Sequence, residues 1–164
     1  MSSNMYIQFD KVQGEATDSA HDKWIEVLSW SHGFSQPASP VRGSSGATVE
    51  KANHSDLSLT KYLDSASDDL IKACWQGKQF DKVTMECFRD SGGDKPINYL
   101  KVEMEDVIIA DYSISGGGGD LPMENVSLAY SKVTYTYNPQ DKADGSKADG
   151  VQPVSVDLKT NKVA

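Results

Sequence analysis

The stretch TKYLDSASDDLIKACWQGKQFDKVTMECFRD, residues 60 to 90, changes its hydrophobic period twice, and its reading decides the fold. It opens on the end of a strand pattern running from Asp56 to Tyr62. A helical repeat follows, in which Leu70, Ile71, Cys74 and Trp75 form one apolar stripe. Ser65 with Asp68 three residues on resembles a capping box. Asp68 and Asp69 place negative charge at the positive end of the helix dipole, and Gly77 stands where a C-cap is expected. The pattern predicts one helix over about residues 66–76. Beyond it Val83, Met85 and Cys87 alternate with Thr84, Glu86 and Phe88, which is strand again.

Working outward, every other periodic segment reads as strand or loop. Met5, Ile7 and Phe9 predict a first strand with one buried face. Between Trp24 and Ser31, Ile25 and Val27 share one face and Trp24, Leu28 and Trp30 the other, so both faces are expected to meet something. Residues 32 to 52 are rich in Ser, Gly and Pro and lose all periodicity, predicting a long loop. Apolar parity slips twice further on. Leu100, Val102 and Met104 give way to Val107 and Ile109, and Val126, Leu128 and Tyr130 to Val133, Tyr135 and Tyr137. Such slips predict bulges or strands that change sheets, hence bent strands and a closed or nearly closed barrel. A polar turn segment over 138–150 precedes a last strand, Val154 to Leu158.

The totals narrow the function. A chain of 164 residues fits one domain able to bury its own core. A net charge of -8, without a cluster of Lys or Arg, repels phosphate backbones and anionic lipid, so nucleic acid and membrane partners are disfavoured. The opening MSSNMYIQFDKVQGE has no basic region followed by an apolar run, so no Sec-type signal peptide is expected.

Motifs that carry chemistry are expected to be absent. Gly116 to Gly119 read as a flexible turn, because no Gly-Lys-Ser/Thr and no helix pattern follow them. In DKADGSKADG, Asp141, Asp144 and Asp149 lack calcium-loop spacing and stand beside lysines, so a solvated turn is expected. Cys74 and Cys87 read as core thiols, too few for a disulfide scaffold. His21, His32 and His54 are scattered through loops without metal-ligand spacing. The expected sites are therefore no catalytic residues, no cofactor and no metal. Trp24, Trp30 and Tyr62 are read as core or subunit contacts in preference to a ligand pocket. From these residues alone, a ligand-binding barrel and a hydrolase with an unrecognised site both stay open.

Several ordered blocks together resemble the Hcp family, the haemolysin co-regulated proteins of bacterial type VI secretion. They are MYIQFDKVQGE, IEVLSWSHG, LSLTKYLDSASDDLIKACWQGK, INYLKVEMEDVIIADYSISGGGGD, ENVSLAYSKVTYTYNPQ and KADGS. The likeness weakens in residues 38 to 52 and after Gly150, where Val154 to Leu158 lacks the family's frequent aromatic. The resemblance implies a mainly β fold: a small barrel of two packed antiparallel sheets with one flanking helix and extended loops. It implies a homohexameric ring, stacked into a tube that a contractile sheath drives outward behind a valine-glycine repeat spike protein. It also implies effectors carried in the lumen, and a protein that is cytoplasmic first and extracellular later. Ser31 matches a family position facing the lumen. The expected inter-subunit residues are Trp24, Leu28, Trp30, Phe34, Val41 and Arg42, with the loop from Gly33 to Ala52 as a reaching arm.

Overall fold

The structure, a computed structural model, describes residues 4–37, 51–89, 96–139 and 152–164. Alternating burial sets the strands: β1 is Met5–Phe9, with Ile7 and Phe9 inward, and β2 is Ile25–Glu26. The next elements are β3 Ser29–Ser31, β4 Phe34–Ser35, β5 Asn53–His54 and β6 Leu57–Tyr62. Helix α1, Ser67–Gln76, separates them from β7 Gln79–Arg89 and the 19-residue β8 Ile97–Ser115. Finally come β9 Met123–Ala129, β10 Lys132–Tyr137, β11 Val154–Asp157 and β12 Lys162–Val163. Every ladder among the described residues is antiparallel.

Strand β8 organises the molecule. One edge pairs with β7 from Ile97 to Ile108, and the other pairs first with β10 and then with β9. β10 leads on to β11 and β12, one lobe of the sheet, whereas β9 leads to β6 and β3, the other lobe. The first parity slip falls at this handover. Met104 and Val107 are both buried across Glu105 and Asp106, and Asp106 has a positive φ of 53°. Opposite them Phe80 and Val83 are buried across exposed Asp81 and Lys82, in unbroken register. The second slip is the break at Tyr130–Ser131, which divides the expected long strand over 126–137 into β9 and β10. Three strands thus bend along one line. Ser131 Oγ secures it by donating to Asp106 Oδ2 at 2.8 Å, and Gln79 Nε2 donates to Asp106 Oδ1 at 3.0 Å.

Of the closed or nearly closed barrel expected, the structure does not reach the closed form. Strands β2, β1, β7, β8, β9, β6 and β3 follow one another in hydrogen-bonded order, but β2 and β3 are not paired with each other. The chain itself spans that gap. Residues 25 to 31 pair with β1 through Ile25 and Glu26, then cross to β6 through Ser29, Trp30 and Ser31. Val27 N–H still donates to Met5 O and Leu28 N–H to Thr60 O, so a continuous segment that changes partner does the work of a closing ladder. Separately, β4 and β5 make a two-stranded ladder at the two ends of the expected long loop.

The core combines Ile7, Phe9, Ile25, Val27, Leu57, Leu59, Val102, Met104, Val126 and Leu128 with the inner face of the helix. That inner face is Ala66, Ser67, Leu70 and Ala73; of the expected stripe Leu70 is buried and Cys74 packs against the core, whereas Trp75 is 83% exposed. Three of these four inward residues are small, and the bulky indole stands on the far side. Ser65 does not close a capping box: its hydroxyl donates to Gln13 O. Asp64 and Ser67 take that role one residue earlier, since Asp64 Oδ1 accepts from Ala66 N–H and Ser67 Oγ accepts from Asp64 N–H. At the other end Gly77, with φ 64°, and Lys78 donate to Cys74 O and Ala73 O.

Candidate assembly surfaces

Strand β6 runs between two contrasting surfaces. Past its C-terminal end, Tyr62, Leu63, Leu121 and Met123 are exposed, with Leu121 at 63%. They are held together because Tyr62 pairs with Met123 and Leu63 N–H donates to Pro122 O. Leu28 joins this surface, lining with Leu63 and Leu121 a cavity of about 210 Å³ that Glu15, Glu26 and Asp64 also border.

Beneath it lies a buried ion pair. Leu57, Leu59 and Lys61 all point inward from β6, and Glu124, Val126 and Leu128 do so from β9. Lys61 and Glu124 are direct cross-strand partners, both 0% exposed, with Nζ 2.5 Å from Oε1. Asp64 Oδ1 lies 3.0 Å from the same ammonium and Ser67 Oγ 3.2 Å from it. Ser67 donates to Glu124 Oε1 and Tyr112 donates to Oε2. Burial alone would raise the Glu124 pKa, but the hydrogen bonds from Lys61, Ser67 and Tyr112 outweigh it and hold the carboxyl below its usual range. This network ties the start of the helix to the β6–β9 ladder.

Before the N-terminal end of β6 lies the second surface. Phe34 is 53% exposed, and with Val133, Tyr135, Val154, Val156 and Val163 it borders a nearly all-apolar cavity of about 260 Å³. Val163 is 76% exposed. Beside the cavity, His32 Nε2 and His54 Nδ1 each lie 2.7 Å from Tyr130 Oη, and His32 Nδ1 contacts Tyr135 Oη. The ring of Phe34 packs edge-on against both imidazoles, at centroid distances of 4.4 and 4.9 Å. Burial, and for His32 also the neighbouring His54, lowers both histidine pKa values. Burial likewise raises Tyr130, and pushes Tyr135 up to about 12.

The expected site residues are therefore dispersed. Trp24 is half-buried and stands edge-on to His21, whose ring stacks on Tyr6 at 4.7 Å. Leu28 belongs to one end surface and Phe34 to the other. Trp30 packs on the core; burial pushes the Cys87 thiol up to about 11, and Tyr99 and Trp30 offset it only in part. Ser31 is exposed on β3, opposite Ser58, at an edge that carries no further strand among the described residues. Val41 and Arg42, with most of the expected arm, and Asp141, Asp144 and Asp149 lie outside the described residues. Two of the three histidines share a partner, Tyr130. His32 and His54 meet because β4 pairs with β5, and His21 lies between Asp18 and Glu86 at 2.7 Å from each. No group of three or more His, Cys, Asp and Glu side chains suited to a metal occurs among the described residues.

Comparison with known proteins agrees with this architecture. The family model described as "Type VI secretion system effector, Hcp" matches residues 6–137. Protein hcp1 of Pseudomonas aeruginosa is 36% identical over 151 residues, covering 92% of this chain and 91% of that protein. The Major exported protein of the same organism is 26% identical over 131 residues, covering 76% and 74%. A solved structure described as a type six secretion system protein superposes with a TM-score of 0.91 at 35% identity, over 99% of this chain and 100% of the other. Hcp1 from Salmonella typhimurium gives 0.78 at 29% identity, over the whole of both chains. A β fold with one helix, built around a strand that serves two lobes, and a match over most of its length place this chain in the Hcp family of type VI secretion proteins.

Proposed function

We propose that the chain is the repeating subunit of a secretion tube: six copies close into a ring, and rings stack head to tail. The supporting observation is the pair of unlike apolar surfaces at opposite ends of β6, one around Leu63, Leu121 and Met123, the other around Phe34, Val154 and Val163. Two different surfaces on one chain suit a heterologous contact, which generates rings when its rotation closes and filaments when it does not. In this reading the sheath surrounds the tube, the spike protein caps it, and small effectors ride in the lumen past Ser31. The residues 33–52 reach a neighbouring copy, and Trp24, Trp30, Val41 and Arg42 lie near such contacts. The protein begins in the cytoplasm and is then exported; its work is structural, with no reaction to catalyse.

Light scattering on the purified chain tests this. The expected mass is about six times the 17.9 kDa protomer, with a central hole in electron micrographs. Leu121→Asp and Val163→Asp should each block end-to-end growth, while a mixture of the two still pairs through its intact ends. A strict monomer at every concentration overturns the proposal. The alternative, a monomeric binding barrel, draws on the apolar cavity beside Phe34. At about 260 Å³ that cavity falls below the roughly 300–1,000 Å³ of small-molecule pockets.

A further inference from the structure

The ladder β4–β5 closes the base of the 33–52 segment with few backbone bonds; the Ser55 hydroxyl, bonded to the amide and the carbonyl of Gly33, and a group of ring side chains reinforce it. Those ring side chains form one hydrogen-bonded series: Tyr135, His32, Tyr130, His54. With both imidazoles neutral the series is satisfied in one direction. Tyr135 donates to His32 Nδ1, His32 Nε2–H to Tyr130, and Tyr130 O–H to His54 Nδ1. One added proton is accommodated by reversal. His54 Nδ1–H then donates to Tyr130, Tyr130 to His32 Nε2, and His32 Nδ1–H to Tyr135. A second proton has no such remedy. Tyr130 Oη would face an N–H from each of two cations and its own hydroxyl hydrogen would lose its acceptor.

We propose that this series is an acid-sensitive latch: the β4–β5 base stays shut with no proton or one, and opens when both histidines are charged. The surrounding groups do not supply a compensating charge for the pair. Asp56, between β5 and β6, favours the cationic form of His32, but desolvation of the ring outweighs it. On the β7 side Cys87 faces Tyr135 as a neutral thiol, its pKa raised by burial to about 11, with the Tyr99 hydroxyl beside it. The sign follows: groups whose pKa falls on folding stabilise the fold above their unfolded value of 6.5 and withdraw that support as pH drops through the folded one. The latch is a property of the folded chain, so it stands or falls independently of ring formation.

Imidazole titration by NMR on the full chain, combined with amide hydrogen exchange, tests it. The two histidines should protonate in separate steps. At the second, protection of the β4 and β5 amides, and of the Ser55 amide that donates to Gly33 O, should fall about tenfold or more between about pH 7 and about pH 5, after correction for intrinsic rates. The β7–β8 amides should hold as an internal control. His54→Gln removes the second charge and should keep the base protected at low pH. Tyr130→Phe keeps the ring, removes the shared oxygen and should merge the two steps into one. The proposal is overturned by a single unstaggered titration in the parent chain, by equal loss of protection in His54→Gln, or by two persistent steps in Tyr130→Phe.

Discussion

Replacing Lys61 with Met puts the buried network to its most direct trial. The side chain keeps its length and apolar stem, so packing is nearly conserved while the charge is lost. In the parent chain the ammonium meets Glu124 at 2.5 Å, Asp64 at 3.0 Å and Ser67 at 3.2 Å, which uses all three of its donors. Without it Glu124, 0% exposed, keeps only the Ser67 and Tyr112 hydroxyls. Breaking a buried pair from one side costs about 3–5 kcal/mol, since an uncompensated charge remains. For a chain of this size that is a fall of about 6–20 °C in Tm. Urea unfolding at fixed protomer concentration reads it directly. The loss should also depend on pH. In the parent, Glu124 titrates below its ordinary range, so its contribution is present above about pH 4.5 and fades below it. In Lys61→Met only the Ser67 and Tyr112 hydroxyls still oppose desolvation, the carboxyl takes up a proton more readily, and the deficit should at least halve between about pH 7 and about pH 4. Glu124→Gln should cost less, because Lys61 retains Asp64. The double variant Lys61→Met/Glu124→Leu should return to within about 2 kcal/mol of the parent. A loss below about 1 kcal/mol for Lys61→Met, or one indifferent to pH, refutes this account.

Other outcomes follow from local geometry. An added Cβ at Gly14 would lie 2.5 Å from the Trp24 carbonyl oxygen, so Gly14→Ala should lose about 1–3 kcal/mol or more in thermal or urea unfolding. Gly119, with φ 102°, should resist Val at a cost of about 1–3 kcal/mol, whereas Gly117→Ala, with open space around it, should leave stability within about 0.5 kcal/mol. Ser31→Gln should leave assembly intact by light scattering yet reduce co-purification of small cargo; unchanged cargo or lost assembly contradicts a lumen position.

How much of this was legible beforehand depended on whether a signal was local. Strand alternation at Met5–Phe9 and the glycine cap at Gly77 are written in neighbouring residues, and both appear as expected. The parity slips were legible as bends, because a strand that bends must re-aim its side chains. Their common cause, a single line crossing Asp81–Lys82, Asp106 and Tyr130–Ser131, was not, since it emerges only when three strands lie side by side. Trp75 departs from its stripe because the helix turns Ala66, Ser67 and Ala73 inward along with Leu70, which leaves the indole outside. Lys61 reads as a solvated strand residue, and only its position opposite Glu124 explains how the core accepts it. For the same reason His32 and His54, 22 positions apart, gave no spacing signal; strand pairing brought them together.

The long strand β8 has a mechanical consequence. Where two lobes merely pack, a force that slides one past the other is opposed by side-chain contacts, which yield singly. Here one backbone runs from Ile97 to Ser115 through both lobes, flanked by β7 on one edge as far as Ile108 and by β10 and then β9 on the other. A push along that direction loads peptide bonds in series and many ladder hydrogen bonds in parallel, so the lobes must travel as one piece.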